Sequence, residues 1–558
     1  MFLDPNTIEQ LQDRLVRDVQ AFLPETILCI GIVLLLILRL FTGLDRAHLG
    51  WAALATTLVA LVVTWAQWSG IYGPAPSQVD RAFSGLLAYD HFTIYLRLFL
   101  FSFAALIIWL SLLTGIPDHE DSADFYSLLL GATVGMALMA SANHLLMVYI
   151  AVEMASLPSY ALAGFLKGRR QSSEASLKYV VYGGGASGVM LYGISLIAVK
   201  FGTAYLPDLA AALPQAAAAP RIDLVLVLGF LLLLIGLGFK LAAVPFQFWC
   251  PDVFEGAAAE VAAFLSVASK GAALALLGRL VLALVPWHAV ALPSQPDASV
   301  ATGPLASYLV LGLAFFAALT ATFGNLAAYP QTNLKRLLAY STIAHAGYMM
   351  MGLAPLTTKG AAAVLFYLIP YLFMNLGAFA VVAFLRNQAG SEDLSSYRGL
   401  VSRSPVLVVT LALFLLSLLG IPPLAGFAAK FGIFAALFEA GQLYHSPAVN
   451  QPVLGNAMYA LLVIAGLNTV FSLVYYANVL KVMILDRPVE EIEGLPPEPL
   501  PVPPGSAFYA TVMAAMTFAV FFLWHPLGNL GDRGVKPLRP EGGGAAVAAA
   551  ARPMEVQP

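Results

Sequence analysis

Four ionisable side chains stand near the centre of long apolar runs in this 558-residue chain: Glu153, Lys240, Lys270 and Lys430. A charge in hydrocarbon is costly, and such groups pair with one another or line ion pathways. Burial favours the neutral form of lysine and of glutamate, whereas a nearby opposite charge favours the ionised form. A Glu–Lys pair that separates and reforms therefore takes up and releases a proton. The chemistry these residue types suit is proton or cation movement. For Glu153 and Lys240 alone, a static ion pair joining two helices stays open as the plain reading. Four central charges, two of them beside helix breaks, favour a proton path.

Spacing sets their depth. Glu153 lies ten residues after Asn143 and fourteen before Lys167, and Lys270 lies ten after Glu260 and nine before Arg279. Lys178 follows Glu174 at i+4, so a helix-face pair competes with a relay role. His345 has Ser341 and Thr342 one turn earlier; a satisfied buried histidine and a relay link are both open. Arg97 and Arg279 lie nearer helix ends and are expected to snorkel. The histidines at run borders (His91, His144, His288 and His525) have no metal-site spacing. Cys29 and Cys250 are isolated and by themselves could not ligate zinc or an iron–sulfur cluster.

The elements that must position these groups are membrane-spanning helices. With 60% hydrophobic and 11% charged residues and a mean hydropathy of +0.82, the chain reads as an all-α integral membrane protein. About fourteen apolar runs are expected, at 24–41, 49–68, 91–113, 125–142, 144–166, 174–199, 223–249, 257–281, 304–329, 335–355, 360–385, 405–438, 455–481 and 506–526. The net charge of −3 and scattered basic residues argue against a nucleic-acid partner. The first twenty residues lack the basic head and cleavage site of a secretory signal. No phosphate-binding loop follows a strand, and Gly183–Gly185 reads as a close helix-packing site. Links after odd-numbered runs carry Lys167, Arg169, Arg170, Lys335, Arg336, Arg386 and other basic residues, which places them in the cytoplasm and both termini outside.

Two runs are too long for a simple crossing. From Asp223 to Asp252 a straight helix covers roughly 43 Å and from Arg403 to Glu439 roughly 54 Å, against about 30 Å of hydrocarbon. Pro245 and Pro422–Pro423 sit inside them, so the seventh and twelfth helices are expected to break, each beside a central lysine. Breaks five helices apart imply two inverted five-helix repeats. The expected organisation is N-terminal helices one to three in 1–120, a first repeat in 121–285 (helices four to eight) and a second, inverted repeat in 300–485 (helices nine to thirteen). A proline-rich connector at 486–505, a last helix at 506–527 and a flexible tail at 528–558 follow.

The segments NHLLMVYIAVEMASLPSYALAGF, GFKLAAVPFQFWCPDVFEGA, AAFLSVASKGA, NLKRLLAYSTIAHAGYMMMGL and GIPPLAGFAAKF resemble the antiporter-like subunits of respiratory complex I over residues 20 to 485. Lys270 and Lys430 are similar to the N branch rather than to L or M. The resemblance implies proton translocation in a bacterial cytoplasmic membrane, coupled to electron transfer in an NADH:quinone oxidoreductase. It implies a relay of Glu153, Lys240, Lys270 and Lys430, with Lys178 and His345 as possible links. NADH, FMN, iron–sulfur clusters and quinone would belong to partner subunits, with no cofactor or metal in this chain. The expected neighbours are the other antiporter-like subunits, small membrane subunits and the lipid bilayer. Two departures put the family's cytoplasmic uptake route in doubt. Ala258-Ala259-Glu260-Val261 replaces a Pro-Thr-Pro segment, so Glu260 either alters proton uptake or caps the helix start, and Gln247 replaces a frequent histidine. A subunit of a multisubunit sodium–proton antiporter and a non-transporting scaffold are the competing readings.

Overall fold

The computed structural model describes residues 5–538, apart from 42–47, 76–81, 119, 218–222, 286, 293–294, 302 and 489–498. The apolar runs become its long helices. After α1 (Pro5–Ala21) come α2 (Leu23–Leu38), α3 (Gly50–Trp68), α4 (His91–Thr114), α5 (Ser122–Ser141), α6 (Leu145–Ala163) and α7 (Arg170–Phe201). A short α8 (Leu206–Ala217) leads to α9 (Leu224–Leu241) and α10 (Trp249–Gly256). The eighth run is α11 (Ala259–Phe264), a π-helical turn over Leu265–Ser269, and α12 (Lys270–Ala283). Then follow α13 (Pro304–Ala327), α14 (Leu334–Leu353), α15 (Thr358–Ala389), α16 (Pro405–Leu419), α17 (Ala425–His445) and α18 (Pro452–Ile484). Helices Pro504–Phe522 and Trp524–Val535 end the described chain.

Among the described residues eleven helices are long and apolar enough to cross a membrane, or twelve if the bent α1–α2 pair counts as one span. That is fewer than the fourteen runs, for a chemical reason. α14 carries Lys335, Arg336, Ser341, Thr342 and His345, and the twelfth run is cut into a fifteen-residue α16 and an α17 holding Lys430 and Glu439. The residues that make these helices functional candidates also lower their hydropathy.

Both expected breaks are present. α9 stops where Ala242 adopts a positive φ of 54°, and its N–H caps the carbonyls of Gly238 and Phe239. The unwound Val244 N–H donates to Thr320 Oγ1 at 3.1 Å. α16 stops at Gly420, whose left-handed φ of 94° is one that glycine takes without steric cost. Ser417 Oγ then accepts from the Gly426 N–H at 3.0 Å, which fixes the start of α17 against the end of α16.

Several sequence expectations need correction. Arg97 and Arg279 do not snorkel: they are 2% and 5% exposed. Arg97 Nε pairs with buried Glu25 at 2.5 Å, and Arg279 holds both oxygens of Asp90 at 2.9 and 3.0 Å. Burial pushes the Asp90 carboxyl up, but the guanidinium and the Thr93 hydrogen bonds outweigh it and hold the group below the usual carboxylate range. Each arginine has a carboxylate within reach inside the bundle, so neither has to extend to water. Of the three consecutive glycines, only Gly183 packs closely, against Tyr160; Gly184 and Gly185 face open space. The link after the eighth run contains an antiparallel hairpin of β1 (Trp287–Leu292) and β2 (Gln295–Ala301), with Trp287 opposite Ala301. The tail is not wholly flexible. Residues 524–535 form a helix in which Arg533 lies over the Trp68 ring at 4.9 Å; residues 539–558 lie outside the described residues. Most of the proline-rich connector, 489–498, also lies outside them, but its Leu500 N–H is bonded to the Arg403 carbonyl at 3.1 Å.

Candidate functional site

The first candidate group stands on α6. Glu153 is half-buried there, and its Oε1 is buried without a hydrogen-bond partner among the described residues. Lys240, near the end of α9, is 0% exposed. The expected Glu153–Lys240 ion pair is open. Lys240 Nζ donates instead to Ser156 Oγ at 2.9 Å, while the Ser156 hydroxyl donates to the Val152 carbonyl at 2.5 Å. Ser156 stands one helical turn beyond Glu153 on the same helix, so it offers the ammonium a second acceptor a short swing from the first.

Aromatic packing separates Lys240 from Lys270. Tyr179 stacks on Trp249 with centroids 4.4 Å apart, and Trp249 Nε1 donates to the Phe239 carbonyl at 3.0 Å. These contacts anchor α10 beyond the break and carry Cys250 inward. Lys270, 0% exposed, follows directly on the π-helical turn, an irregularity found often at functional sites. Its Nζ lies 3.8 Å from Cys250 Sγ, a weak acceptor that compensates the charge poorly. Cys250 is the residue the sequence reading undervalued. Its spacing carries no signal, because only the break in the seventh run turns it towards the eighth.

His345 is buried on α14, and its Nδ1 is 2.7 Å from Tyr367 Oη. Lys430 Nζ donates to the Leu419 carbonyl at 2.9 Å and lies 4.7 Å from the centre of the Tyr348 ring. Leu419 is the last residue of α16, so the ammonium occupies one of the carbonyls that a helix end leaves free. Tyr348 stands at i+3 from His345, the one spacing that could have brought it into the reading.

Lys178 lies in a cluster of ion pairs. It pairs with Glu174 at 2.9 Å, as its spacing predicted, and with Asp252 at 2.6 Å. Arg336 holds Asp252 and Glu255 at 2.6 and 2.7 Å. Next to this cluster Lys335 bonds Glu392 at 2.8 Å and the Ala257 carbonyl at 2.7 Å.

Glu260, which stands in place of the family's proline segment, has a partner in the bundle. It lies in the first turn of α11, where an acid suits the helix dipole, but it is 0% exposed and bound to both terminal nitrogens of Arg386 on α15 at 3.1 and 3.3 Å. Arg386→Ala leaves that carboxylate buried and uncompensated, at an expected cost of about 3–5 kcal/mol. Heating membranes and assaying the folded subunit that remains should show the loss, and the double replacement Glu260→Leu, Arg386→Met should restore most of it. Wild-type heat resistance in Arg386→Ala would contradict this account. Among the described residues no group of three or more His, Cys, Asp or Glu side chains could hold a metal ion.

Comparison with known proteins shows the family. Residues 142–454, which include all four central charges, match the family described as NADH:quinone oxidoreductase/Mrp antiporter, transmembrane. NADH-quinone oxidoreductase subunit N of Anaeromyxobacter sp. (strain Fw109-5) is 40% identical over 526 residues, covering 93% of this chain and 96% of the relative. Subunit N 2 of Sorangium cellulosum (strain So ce56) is 37% identical, covering 96% and 100%. A chain of respiratory complex I from Thermus thermophilus with bound aureothin superposes with a TM-score of 0.67 at 31% identity, covering 91% of this chain and 99% of that one. A chain of the Mrp complex from Dietzia sp. DQ12-45-1b has a TM-score of 0.75 at 18% identity, covering 93% and 97%, a likeness of fold alone. Long apolar helices, broken spans beside buried lysines and this relatedness lead to one conclusion: the chain belongs to the NADH:quinone oxidoreductase/Mrp antiporter family of membrane subunits.

Proposed function

We propose that this chain is the proton-translocating subunit N of an NADH:quinone oxidoreductase. The observation that supports the reading is that Lys240, Lys270, His345 and Lys430 are all buried within the helical bundle, Lys240 and Lys430 beside the two breaks, with half-buried Glu153 one turn from the Ser156 that holds Lys240. NADH oxidation on FMN and iron–sulfur clusters, and quinone reduction, belong to partner subunits, among which are the other antiporter-like and small membrane subunits. The chain itself binds no redox group. The odd-numbered links face the cytoplasm and both termini face outward, and the spans number fourteen. The units α5–α12 and α13–α18 act as inverted repeats, each with one broken helix.

In mechanism, a charge arriving from a partner draws Lys240 from Ser156 to Glu153 or releases it again. The change in field passes to Lys270 beside Cys250, then to His345 and Lys430. Proton release occurs from Lys430 to the outer side, where unwound backbone between α16 and α17 admits water. Lys178 and its acidic partners lie on the cytoplasmic side of Lys240, where a relay into the first half would start. Replacing Pro422 and Pro423 with alanine restores two N–H groups and favours a continuous twelfth helix. Loss of proton transfer with retained assembly is expected, and a double variant that pumps normally would reduce the break to a packing feature.

The fold-level likeness to the Mrp complex favours one further reading, a sodium–proton antiporter subunit. Purifying the chain from its native membrane separates the two. Co-isolation of NADH-oxidising and quinone-reducing subunits, with sodium-independent acidification of inverted vesicles on adding NADH, is the expected result. Isolation among antiporter subunits alone, with sodium-dependent exchange, would overturn the proposal.

A further inference from the structure

A lateral cavity of 360 Å³ opens beside the break of the seventh run, lined by Lys178, Arg336, Asp252, Gln247, Tyr182 and Phe248 among others. Its polar groups are of three kinds. Lys178 and Arg336 share Asp252 at 2.6 Å each, and Glu174 and Glu255 complete the cluster from outside the wall at 2.9 and 2.7 Å. Two cations and three carboxylates leave an excess of one negative charge. Gln247 is 3% exposed, and its Oε1 accepts no hydrogen bond among the described residues. A buried amide oxygen without a donor costs free energy, so the site favours a ligand that brings an N–H. Lys178 and Arg336 still have N–H bonds to spare after their ion pairs, since lysine carries three donors and arginine five. Those donors suit an anionic oxygen.

The mouth of the cavity is aromatic and uncovered. Tyr182 is 52% exposed, Phe248 64% and Phe323 38%. Lys178 lies four residues past Glu174, which opens the apolar run, so it sits about 6 Å inside that boundary. Tyrosine is one of the two residue types enriched at headgroup level, which suits Tyr182, and the exposed Phe248 and Phe323 rings offer an apolar surface to acyl chains.

We infer that this cavity binds a zwitterionic phospholipid whose headgroup ends in a primary ammonium. The phosphate oxygens take the spare donors of Lys178 and Arg336. The ammonium donates to Gln247 Oε1 and is drawn by the surplus carboxylate charge, and the acyl chains leave across Phe248 and Tyr182. A headgroup bearing both signs is neutral overall, so it meets the acid excess without the repulsion a purely anionic lipid would suffer. A choline headgroup has no N–H and leaves Gln247 unpaired. The site shares Lys178 and Asp252 with the relay entry proposed above, so its test reads lipid binding alone and not proton transfer.

The test uses the intact membrane assembly containing this chain, depleted of lipid by detergent exchange. A phosphatidylethanolamine with a photoreactive group in its acyl chain is added, and labelled peptides around Tyr182 and Phe248 are mapped by mass spectrometry. Unlabelled phosphatidylethanolamine should compete at this site, whereas equal amounts of phosphatidylcholine, phosphatidylglycerol, inorganic phosphate or free ethanolamine should not. Gln247→Leu preserves every ion pair and should lower labelling here about tenfold relative to the rest of the lipid-facing surface, the effect of one lost hydrogen bond to a charged group. Lys178→Gln should do the same, and Lys178→Arg should retain labelling. Equal competition by phosphatidylcholine or phosphatidylglycerol, or unchanged labelling in Gln247→Leu, would overturn the inference.

Discussion

Lys240→Ala should leave the complex assembled and reduce proton pumping and the coupled quinone reductase rate by about tenfold or more, the scale on which positioned proton-transfer groups act. The expectation follows from position. Lys240 is fully buried and stands where α9 ends, and its Nζ is held by Ser156 rather than by Glu153. It is a buried cation beside the break, held by the residue one turn beyond the carboxylate of α6. Alanine removes both the charge and the proton carrier, so nothing remains to answer a change at Glu153. Ser156→Ala is the natural companion, because it deletes only the second resting place. Assays of proton uptake in inverted vesicles, normalised to assembled complex, provide the readout.

Lys430→Arg should abolish most proton transfer while keeping the positive charge. A guanidinium keeps its proton under all conditions inside a protein, whereas an ammonium can release it. If Lys430 acts as a fixed charge that holds the Leu419 carbonyl and the Tyr348 face, arginine should substitute with modest loss, since it makes both kinds of contact. A relay instead predicts a loss of about tenfold or more. Heat resistance of the assembled variant must be followed alongside, because the planar group is bulkier than the ammonium. A well-assembled variant with wild-type transfer would identify Lys430 as a fixed charge and move the exit role to His345 or to water.

The breaks were legible because proline and run length both pointed to them: length alone leaves tilt open, as in the unbroken α18 of 33 residues, and Pro422–Pro423 decide for a break in the twelfth run. The central lysines were legible because an ionisable group in an apolar run is conspicuous. What the sequence hid was lateral. Nothing in the spacing of Cys250 shows that an unwound Ala242–Phe248 segment turns it onto Lys270, and nothing along α6 says whether Lys240 rests on Glu153 or on Ser156. The arginines misled for the same reason. Arg97 and Arg279 look like snorkelling residues by distance from a helix end, but their partners Glu25 and Asp90 are 72 and 189 residues away in the chain. Glu260 is similar: its place at a helix start was readable, its bond to Arg386 was not. The π-helical turn before Lys270 leaves no mark in the spacing or composition of LSVAS.

The central claim is that Glu153 and Lys240 form a switch that opens and closes during turnover. The most direct measurement is the number of protons moved per NADH oxidised in vesicles carrying assembled Glu153→Ala complex. The account predicts that pumping falls together with the coupled quinone reductase rate, because Lys240 no longer has a carboxylate to leave and return to. Wild-type proton transfer per NADH from fully assembled Glu153→Ala complex would contradict it.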